Sequence, residues 1–246
     1  MNKYHLLLLS TLLSTTASAE YLYSFGSVNI NYLDWSSDTE ERSNGNKQDF
    51  AYLELEGGAG FTWGEVYGFV DFEFQDSTAS NDDAVAVSSK GKLAVKTGLD
   101  ELRWYAQTYS TENQGFHGRN TVLGLSYNLV GDSGWFFSPF VGFHYTNKNG
   151  FAGMNGGMAG WVANYKFKLG EQNFTLSNWH ETEFARTNDY VNSTREDDDL
   201  SYNGSLSVWW NAPENLSLGL QYRYAHNKLG QSDTDSAIIY TVKYNF

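Results

Sequence analysis

The sequence contains no cysteine and only two prolines, Pro139 and Pro213. Without cysteine there is no disulfide framework, so hydrogen bonding and the burial of side chains must hold the fold together. Glycine is abundant, with 24 residues, and aromatic residues make up 17% of the chain. Little proline, much glycine and many aromatic side chains are typical of β-strands joined by tight turns. The composition therefore favours an all-β protein.

Long hydrophobic runs are also missing. The apolar stretch at residues 6–13 is much shorter than the roughly 20 residues of a membrane-spanning helix, and no other stretch approaches that length. It follows Lys3 and precedes Ala17-Ser18-Ala19, which has the form of a signal-peptide cleavage site. The sequence thus predicts a signal peptide at residues 1–19 and an exported domain at residues 20–246, and it excludes a helical membrane protein.

Positive charge is scarce. The chain has 16 Lys and Arg residues against 29 Asp and Glu residues, and its formal net charge is -13. Nucleic-acid binding requires a basic surface, so we expect no nucleic-acid partner. Mean hydropathy is -0.49, which is compatible with a membrane-spanning β-barrel because only alternate strand residues face lipid there.

The last nine residues alternate strictly between two faces. One face is apolar and aromatic and carries Ile238, Tyr240, Val242, Tyr244 and Phe246; the other carries Ile239, Thr241, Lys243 and Asn245. An isolated strand of this kind is a sticky edge in water. At the end of an outer-membrane barrel it is the closing strand, with its aromatic face toward lipid. A soluble sandwich can also end on such a strand, so the rest of the chain must decide between the two.

About twelve strand-like runs follow one another, separated by connections that alternate between long and short. The runs cover about 21–33, 50–61, 65–75, 91–97, 101–110, 120–130, 135–146, 158–169, 174–184, 200–210, 216–226 and 238–246. Long polar connections include residues 34–49, 76–90 and 185–199. Outer-membrane barrels have an even number of strands, short periplasmic turns and long outer loops. We therefore predict a single-domain, transmembrane antiparallel β-barrel of about twelve strands.

Charged residues on these strands share faces that alternate with apolar faces. Lys or Arg on the lipid side at mid-bilayer costs roughly 2–4 kcal/mol, so we assign the charged faces to the lumen. Acidic residues then lie on the second and third strands, and basic residues on the fourth, fifth, eighth and eleventh. Two interpretations remain open. In the first, cross-barrel ion pairs fill a narrow lumen. In the second, the acidic and basic sides produce an electric field across the lumen, and aromatic side chains offer flat surfaces, which together suit a polar solute that has a flat ring.

Two neighbouring segments resemble a known family. Tyr52-Leu53-Glu54-Leu55-Glu56 is followed, after a short gap, by Val66-Tyr67-Gly68-Phe69-Val70-Asp71. This pair is similar to the hairpin of the Tsx-like family, which comprises nucleoside-specific outer-membrane channels and the related vibrio OmpK proteins. Glu101-Leu102-Arg103-Trp104-Tyr105 and the closing Tyr244-Asn245-Phe246 fall in the same order. The resemblance implies a monomeric twelve-strand barrel with a narrow, ligand-selective channel.

The sequence and the resemblance together predict a passive channel in the outer membrane of a Gram-negative cell. The expected solutes are small and polar, with nucleosides as the leading candidates, and the expected surroundings are outer-membrane lipid and lipopolysaccharide. No cofactor, metal site or energy source is predicted. The residues expected to line the pore and bind solute are Tyr52, Glu54, Glu56, Tyr67, Phe69, Asp71, Glu73, Arg103, Tyr105, Lys166 and Arg223.

Two other functions remain open. A structural or receptor barrel would offer its acidic loops to phages or colicins, and Asp197-Asp198-Asp199 is a candidate for divalent cations, although a solvated, disordered loop is the commoner outcome. An outer-membrane enzyme needs a nucleophile or water activated by a base. His180 and Glu181 are sequential and point to opposite sides of one strand, and no Gly-x-Ser-x-Gly elbow occurs. We therefore predict no catalytic residue.

Overall fold

The computed structural model describes residues 19–75, 84–113, 115–213 and 215–246. Nearly all of the predicted signal peptide lies outside these ranges, and its cleavage site stays a prediction. The strands are β1 (Tyr21–Trp35), β2 (Phe50–Phe61), β3 (Gly64–Gln75), β4 (Ala84–Lys96), β5 (Leu102–Asn113), β6 (Phe116–Tyr127), β7 (Leu129–Val130), β8 (Trp135–Lys148), β9 (Phe151–Leu169), β10 (Gln172–Phe184), β11 (Ser201–Asn211), β12 (Leu216–Lys228) and β13 (Gln231–Asn245). The two helices are α1 (Ser37–Arg42) and α2 (Asn188–Asn192).

Twelve of the strands close into one antiparallel barrel. β1 pairs with β13, where Asn29 lies opposite Lys243, and β6 pairs with β8, where Val122 lies opposite His144. The other long strands pair with their neighbours in chain order. β7 is an additional two-residue strand between β6 and β8. The predicted twelve-strand barrel is confirmed, and its closure removes the exposed edges that an open sheet would have.

The alternation predicted for the last strand is also confirmed. Ile239 is completely buried inside the barrel, whereas Tyr240 and Val242 are about half exposed on the outside. Lys243, on the inner face, reaches Glu56 of β2 at 2.8 Å. Successive side chains of a strand point to opposite sides of the sheet, so these contacts fix the inward set of positions on every neighbouring strand. The charged faces point into the lumen, as predicted.

One end of the barrel, hereafter the short-turn end, carries only connections of a few residues. Residues 62–63 join β2 to β3, and residues 170–171 join β9 to β10. Gly170 has a φ of 61°, a left-handed conformation that glycine adopts without steric cost. β1 begins and β13 ends at this same end. The connections at the end that carries both chain termini are short, as predicted, but the opposite end also has two-residue connections at residues 149–150 and 229–230, so the predicted alternation of long and short connections is only partly present.

At the opposite end the predicted loops are partly wrong. β4 begins at Ala84 rather than at Gly91, and β13 begins at Gln231 rather than near Ile238. β9 likewise begins earlier than predicted, so that only residues 149–150 separate it from β8. The added residues of β9 are rich in glycine and those of β13 are polar, so neither set shows the apolar alternation of a membrane strand, whereas the added residues of β4 begin with Ala84-Val85-Ala86-Val87. A strand that runs beyond the bilayer has water on its outer side and needs no apolar face.

The two acidic segments of this opposite end are folded, so the expectation of disordered loops is wrong. Residues 36–49, hereafter the α1 segment, contain helix α1, and residues 185–199, hereafter the α2 segment, contain helix α2. The Thr187 side chain accepts a hydrogen bond from the Tyr190 amide and so caps α2. No helix among the described residues is long and apolar enough to cross a membrane.

Candidate functional site in the barrel lumen

The eleven residues predicted to bind solute all occupy inward positions, but they do not form a single site. Seven of them make one continuous patch on β2 and β3, hereafter the acidic patch. In it, Glu54 lies opposite Asp71 and Tyr52 lies opposite Glu73. The seven are Tyr52, Glu54, Glu56, Tyr67, Phe69, Asp71 and Glu73. The other four are distributed over β5, β9 and β12. The binding role of all eleven stays a prediction.

Two carboxylates of this patch have several partners. Glu56 forms an ion pair with Lys243 at 2.8 Å and accepts a hydrogen bond from the Tyr67 hydroxyl at 2.8 Å. Glu73 accepts a hydrogen bond from the Ser88 hydroxyl, also at 2.8 Å. Charge-assisted hydrogen bonds of this kind are short and directional. Glu56 and Glu73 are therefore held in position against the wall of the barrel.

The other two carboxylates, Glu54 and Asp71, face each other and have fewer hydrogen-bond and ion-pair partners. Glu54 accepts a hydrogen bond from the Asn29 side-chain amide, and Asp71 lies directly opposite Glu54 on the next strand. One carboxylate oxygen of Asp71 is buried and has no hydrogen-bond partner among the described residues. The Arg223 guanidinium on β12 is close enough to act electrostatically on Asp71. Glu54 and Asp71 are both partly exposed, so their accessible carboxylate oxygens can accept hydrogen bonds from a passing solute.

A ladder of four aromatic rings runs beside these carboxylates. The ring centroids of Phe25 and Tyr67 are 6.3 Å apart, those of Tyr67 and Phe69 are 6.4 Å apart, and those of Phe69 and Tyr109 are 6.5 Å apart. We call these four residues the aromatic ladder. Phe25 and Tyr109 were not among the predicted site residues, although both follow the period-two pattern of inward positions on their strands.

The three basic residues of the predicted site, Arg103, Lys166 and Arg223, do not form one surface. Arg103 forms ion pairs with Glu65 at 3.2 Å and with Glu101 at 2.8 Å, and both partners lie at the short-turn end. Lys166 also lies near that end, where its amide donates to the Gly134 carbonyl at 3.0 Å. Of the predicted basic residues, Arg223 is the one that faces the acidic patch.

Tyr105 already has an aromatic partner within the protein. Its ring stacks on Phe140 with a centroid distance of 4.7 Å and an interplanar angle of 15°, and its hydroxyl donates to Gln107 at 2.6 Å. Both rings are buried, together with Val122 and Met158, in a small apolar cluster inside the barrel. Tyr105 therefore packs the lumen on the side away from the acidic patch.

An ion pair that was not predicted joins opposite walls of the lumen. Lys90 Nζ of β4 lies 2.7 Å from Glu181 Oε1 of β10, and the Gln107 side chain donates to the same oxygen at 2.8 Å. The Lys90 ammonium and the Arg223 guanidinium lie 5.9 Å and 5.6 Å from the Trp179 ring centroid. The Ala84-Val85-Ala86-Val87 stretch, with two β-branched residues in alternation, was the available signal that β4 starts early enough to place Lys90 on a strand.

A cavity of about 530 Å³ opens at the short-turn end of the lumen. Its polar lining includes Glu65, Lys96, Arg103 and Asn128, and its apolar lining includes Tyr23 and Phe136. Asn128 donates to Glu65 at 3.1 Å and accepts from the Ser138 hydroxyl at 2.7 Å. Glu65 is thus bonded to both Asn128 and Arg103 beside this open volume, hereafter the vestibule.

The α2 segment folds into the opposite end of the barrel. The side chain of Arg186 is completely buried and forms ion pairs with Glu196 and with Glu183, the latter at 3.6 Å. Lys228 also pairs with Glu183, and the Tyr190 hydroxyl donates to Glu196 at 3.1 Å. Burial and the neighbouring carboxylates raise the pKa of Tyr190 above its usual range, so the hydroxyl remains a neutral donor.

The α1 segment is held by a comparable arrangement. Asp235 of β13 is completely buried and forms ion pairs with Lys47 and with Arg42, the latter at 3.8 Å. Ser36 and Ser236 are joined by a backbone hydrogen bond of 2.9 Å. The segment of α1 is therefore attached to the buried carboxylate of Asp235 by two of its own cations, and the segment of α2 is attached to the buried carboxylate of Glu183 by its Arg186.

The positions of His144 and His180 decide whether either residue can act as a catalytic base toward the lumen. His144 faces inward, is completely buried and hydrogen-bonds to Asn120 and Thr146, each at 3.0 Å. His180 faces outward, where it stacks on Trp161 at 4.5 Å and bonds to the Tyr224 hydroxyl at 2.8 Å. Among the described residues, no three His, Asp or Glu side chains are arranged to hold a metal ion.

The chain matches a known family and has the fold of known porins. The sequence model described as nucleoside-specific channel-forming protein, Tsx, matches residues 30–246. The NanC porin has a TM-score of 0.54 and 10% identity to this chain, over 88% of this chain and 98% of that one. The KdgM porin, solved in complex with disordered oligogalacturonate, has a TM-score of 0.48 and 8% identity over 89% and 99% of the two chains. At 10% identity, the likeness to the NanC porin concerns the fold alone.

Proposed function

Since this chain belongs to the family of the nucleoside-specific channel-forming protein Tsx, we propose that it is a passive outer-membrane channel for small polar solutes, with nucleosides as the leading solutes. The observation that carries the solute class is the position of the aromatic ladder beside the acidic patch. A base ring stacks on Phe69 or Tyr67, while sugar hydroxyls donate hydrogen bonds to Glu54 and Asp71. Stacking on aromatic side chains is tolerant of ring identity, because every base has a π-face.

Weak individual contacts suit a channel, because a solute that binds must also leave. The lumen offers such contacts at several levels, from the acidic patch to the vestibule at the short-turn end. No energy-coupling step is required, since the solute moves down its own gradient. Arg223 and the carboxylates opposite it produce a transverse field across this path, which orients a polar solute as it passes.

The membrane setting completes the proposal. The outer surface of the barrel is apolar and aromatic, so we assign it to the outer membrane of a Gram-negative cell, in contact with lipid and lipopolysaccharide. The barrel is closed on itself and needs no second copy to cover a strand edge, which supports a monomer. Neither His144, packed inside the wall, nor His180, on the lipid side, is placed to activate a nucleophile toward the lumen, so we propose no catalytic activity.

The test is liposome swelling with purified, folded barrel. We expect nucleosides to enter faster than sugars of similar size, because only the nucleosides present a flat ring to the aromatic ladder. Equal rates for the two solute classes would disprove the preference and leave a general diffusion pore. If neither solute enters, the channel itself is disproved, and a structural or receptor role for phages or colicins replaces it.

A further inference from the structure

Lys90 and Glu181 connect parts of the barrel wall that are not neighbours. On the shorter path around the sheet, β5, β6, β8 and β9 lie between the two strands that carry them. The 2.7 Å contact between the ammonium and the carboxylate therefore crosses the lumen instead of following the wall. Gln107 of β5 strengthens the link, because its amide donates to the same carboxylate oxygen at 2.8 Å.

The bridge lies at the level of the aromatic side chains. Lys90 is directly opposite Phe69 of β3 and Tyr109 of β5, so its stem leaves the wall between two rings of the aromatic ladder. On the far wall, Trp179 shares the inward face with Glu181 and lies 5.9 Å from the Lys90 ammonium. The crossing ion pair and the aromatic rings of both walls thus meet at one cross-section of the lumen.

We propose that the Lys90–Glu181 bridge is the constriction that determines which solutes pass through this channel. A solute passes by exchanging the hydrogen bonds of the bridge for its own, while its ring lies against Trp179 or Phe69. Both side chains of the bridge are partly exposed, at 19% and 12%, so the groups are accessible to such an exchange. The favoured solute is a neutral molecule that carries a flat ring and adjacent hydroxyl or amide groups. This inference rests on the proposed function.

Other ion pairs of the lumen do not have this geometry. Lys92 pairs with Glu65 on the adjacent strand at 2.9 Å, and the Lys243–Glu56 pair spans β1 alone. Both pairs lie along the wall and leave the cross-section open. Lys92 is the next inward residue after Lys90 on the same strand, and Glu65 keeps Arg103 as a partner when Lys92 is replaced. Lys92 therefore provides a matched control.

The experiment compares Lys90→Met, Glu181→Gln and Lys92→Met in planar bilayers and in swelling liposomes. Either bridge variant is expected to raise single-channel conductance by roughly twofold, because a constriction of the pore limits the passage of ions. Each is also expected to bring the rate for nucleosides closer to the rate for sugars of similar size. Lys92→Met, which removes the same charge without opening the bridge, is expected to keep wild-type conductance.

The charge-reversed double variant, Lys90→Glu with Glu181→Lys, is expected to restore low conductance, which a purely structural role of either residue would not produce. If Lys90→Met does not insert, Lys90→Gln retains most of the stem and takes its place. Bridge variants that behave like Lys92→Met would overturn the proposal. If wild type shows no nucleoside preference but the bridge variants still conduct more, the proposed solute class fails while the constriction stands.

Discussion

The backbone amide of Phe246 donates a hydrogen bond of 3.0 Å to the carbonyl oxygen of Gly26, so the last residue of the chain is tied to the first strand. The Phe246 ring also covers Gly26, where a Cβ atom would lie only 2.6 Å from the ring. Glycine is the residue that permits this close approach. The junction between the two ends of the chain therefore depends on both residues.

Deletion of Phe246 is expected to reduce the amount of folded barrel strongly. The deletion removes the hydrogen bond to Gly26 and the aromatic group at the edge of the lipid-facing band, where closure of β13 on β1 is completed. Asn245→Ala, one residue earlier on the inward face, is the control and should insert nearly normally. The fraction of heat-modifiable barrel on a gel measures the effect. Normal folding of the deletion variant would contradict the prediction.

The two acidic segments are expected to lie on the cell surface, with the short-turn end in the periplasm. Because the chain has no cysteine, single cysteines can be labelled without background. Glu41→Cys and Arg195→Cys should react with a membrane-impermeant reagent on intact cells, whereas Ser133→Cys should react only after the outer membrane is permeabilised. Labelling of residues 131–134 on intact cells would reverse the assigned orientation.

Asp71→Asn is expected to stabilise the barrel while it weakens solute passage. Like charges directly opposite each other on neighbouring strands are unfavourable, and cross-strand pairs contribute roughly 0.2–1 kcal/mol. The amide that replaces the Asp71 carboxylate can donate a hydrogen bond to Glu54, so two acidic groups no longer face each other, but the lumen loses a carboxylate acceptor.

The readouts for Asp71→Asn are the temperature at which the folded barrel loses its compact gel mobility, which should rise, and the swelling rate with nucleosides, which should fall. Glu73→Gln is the control. It removes the same charge, but Glu73 accepts hydrogen bonds from both Ser88 and Gln75, so no stabilisation is expected there. A lower unfolding temperature for Asp71→Asn would show that the opposed carboxylates are not a source of strain.

Arg186→Ala is expected to release the α2 segment from the mouth of the barrel. Removing one partner of a buried ion pair leaves an uncompensated charge, at a cost on the order of 3–5 kcal/mol. Here Glu196 loses its Arg186 partner, and Glu183 keeps Lys228 alone. Protease added to intact cells should then cut within residues 185–199. Arg195→Ala, an exposed arginine of the same segment, should leave cleavage at the wild-type level, and equal resistance of both variants would argue against the role of Arg186.

The strand count, the closure of the barrel and the direction of its charged faces were all predictable from the sequence. They depend on period-two alternation, as in Tyr240-Thr241-Val242, which is a local property of each strand. The bounds of strands at the end opposite the short turns were not predictable in this way. There the sheet stands in water on both sides, and the polar residues at the start of β13, residues 231–236, give no apolar alternation.

Period-two alternation predicts only part of the candidate site. Alternation shows that Lys90 and Glu181 face inward once their strands are known, but it does not show which inward residues meet across a closed barrel. For the same reason the sequence could not show that Tyr105 stacks on Phe140 or that Arg103 pairs with Glu65. The sequence did not predict helices α1 and α2, because an acidic segment has no apolar face to mark it, although Thr187 before Asn188 is a helix-start signal for α2.

The attachment of both acidic segments to buried carboxylates has a consequence for how this protein is recognised from outside. Asp235 anchors the segment at residues 36–49, although nearly two hundred positions of chain separate them, and Glu183 of β10 and the Asn227 carbonyl of β12 anchor the segment at residues 185–199 through Arg186. The outward shape is thus assembled from distant stretches of chain. An antibody raised against it will bind the native barrel and not a synthetic peptide of either segment.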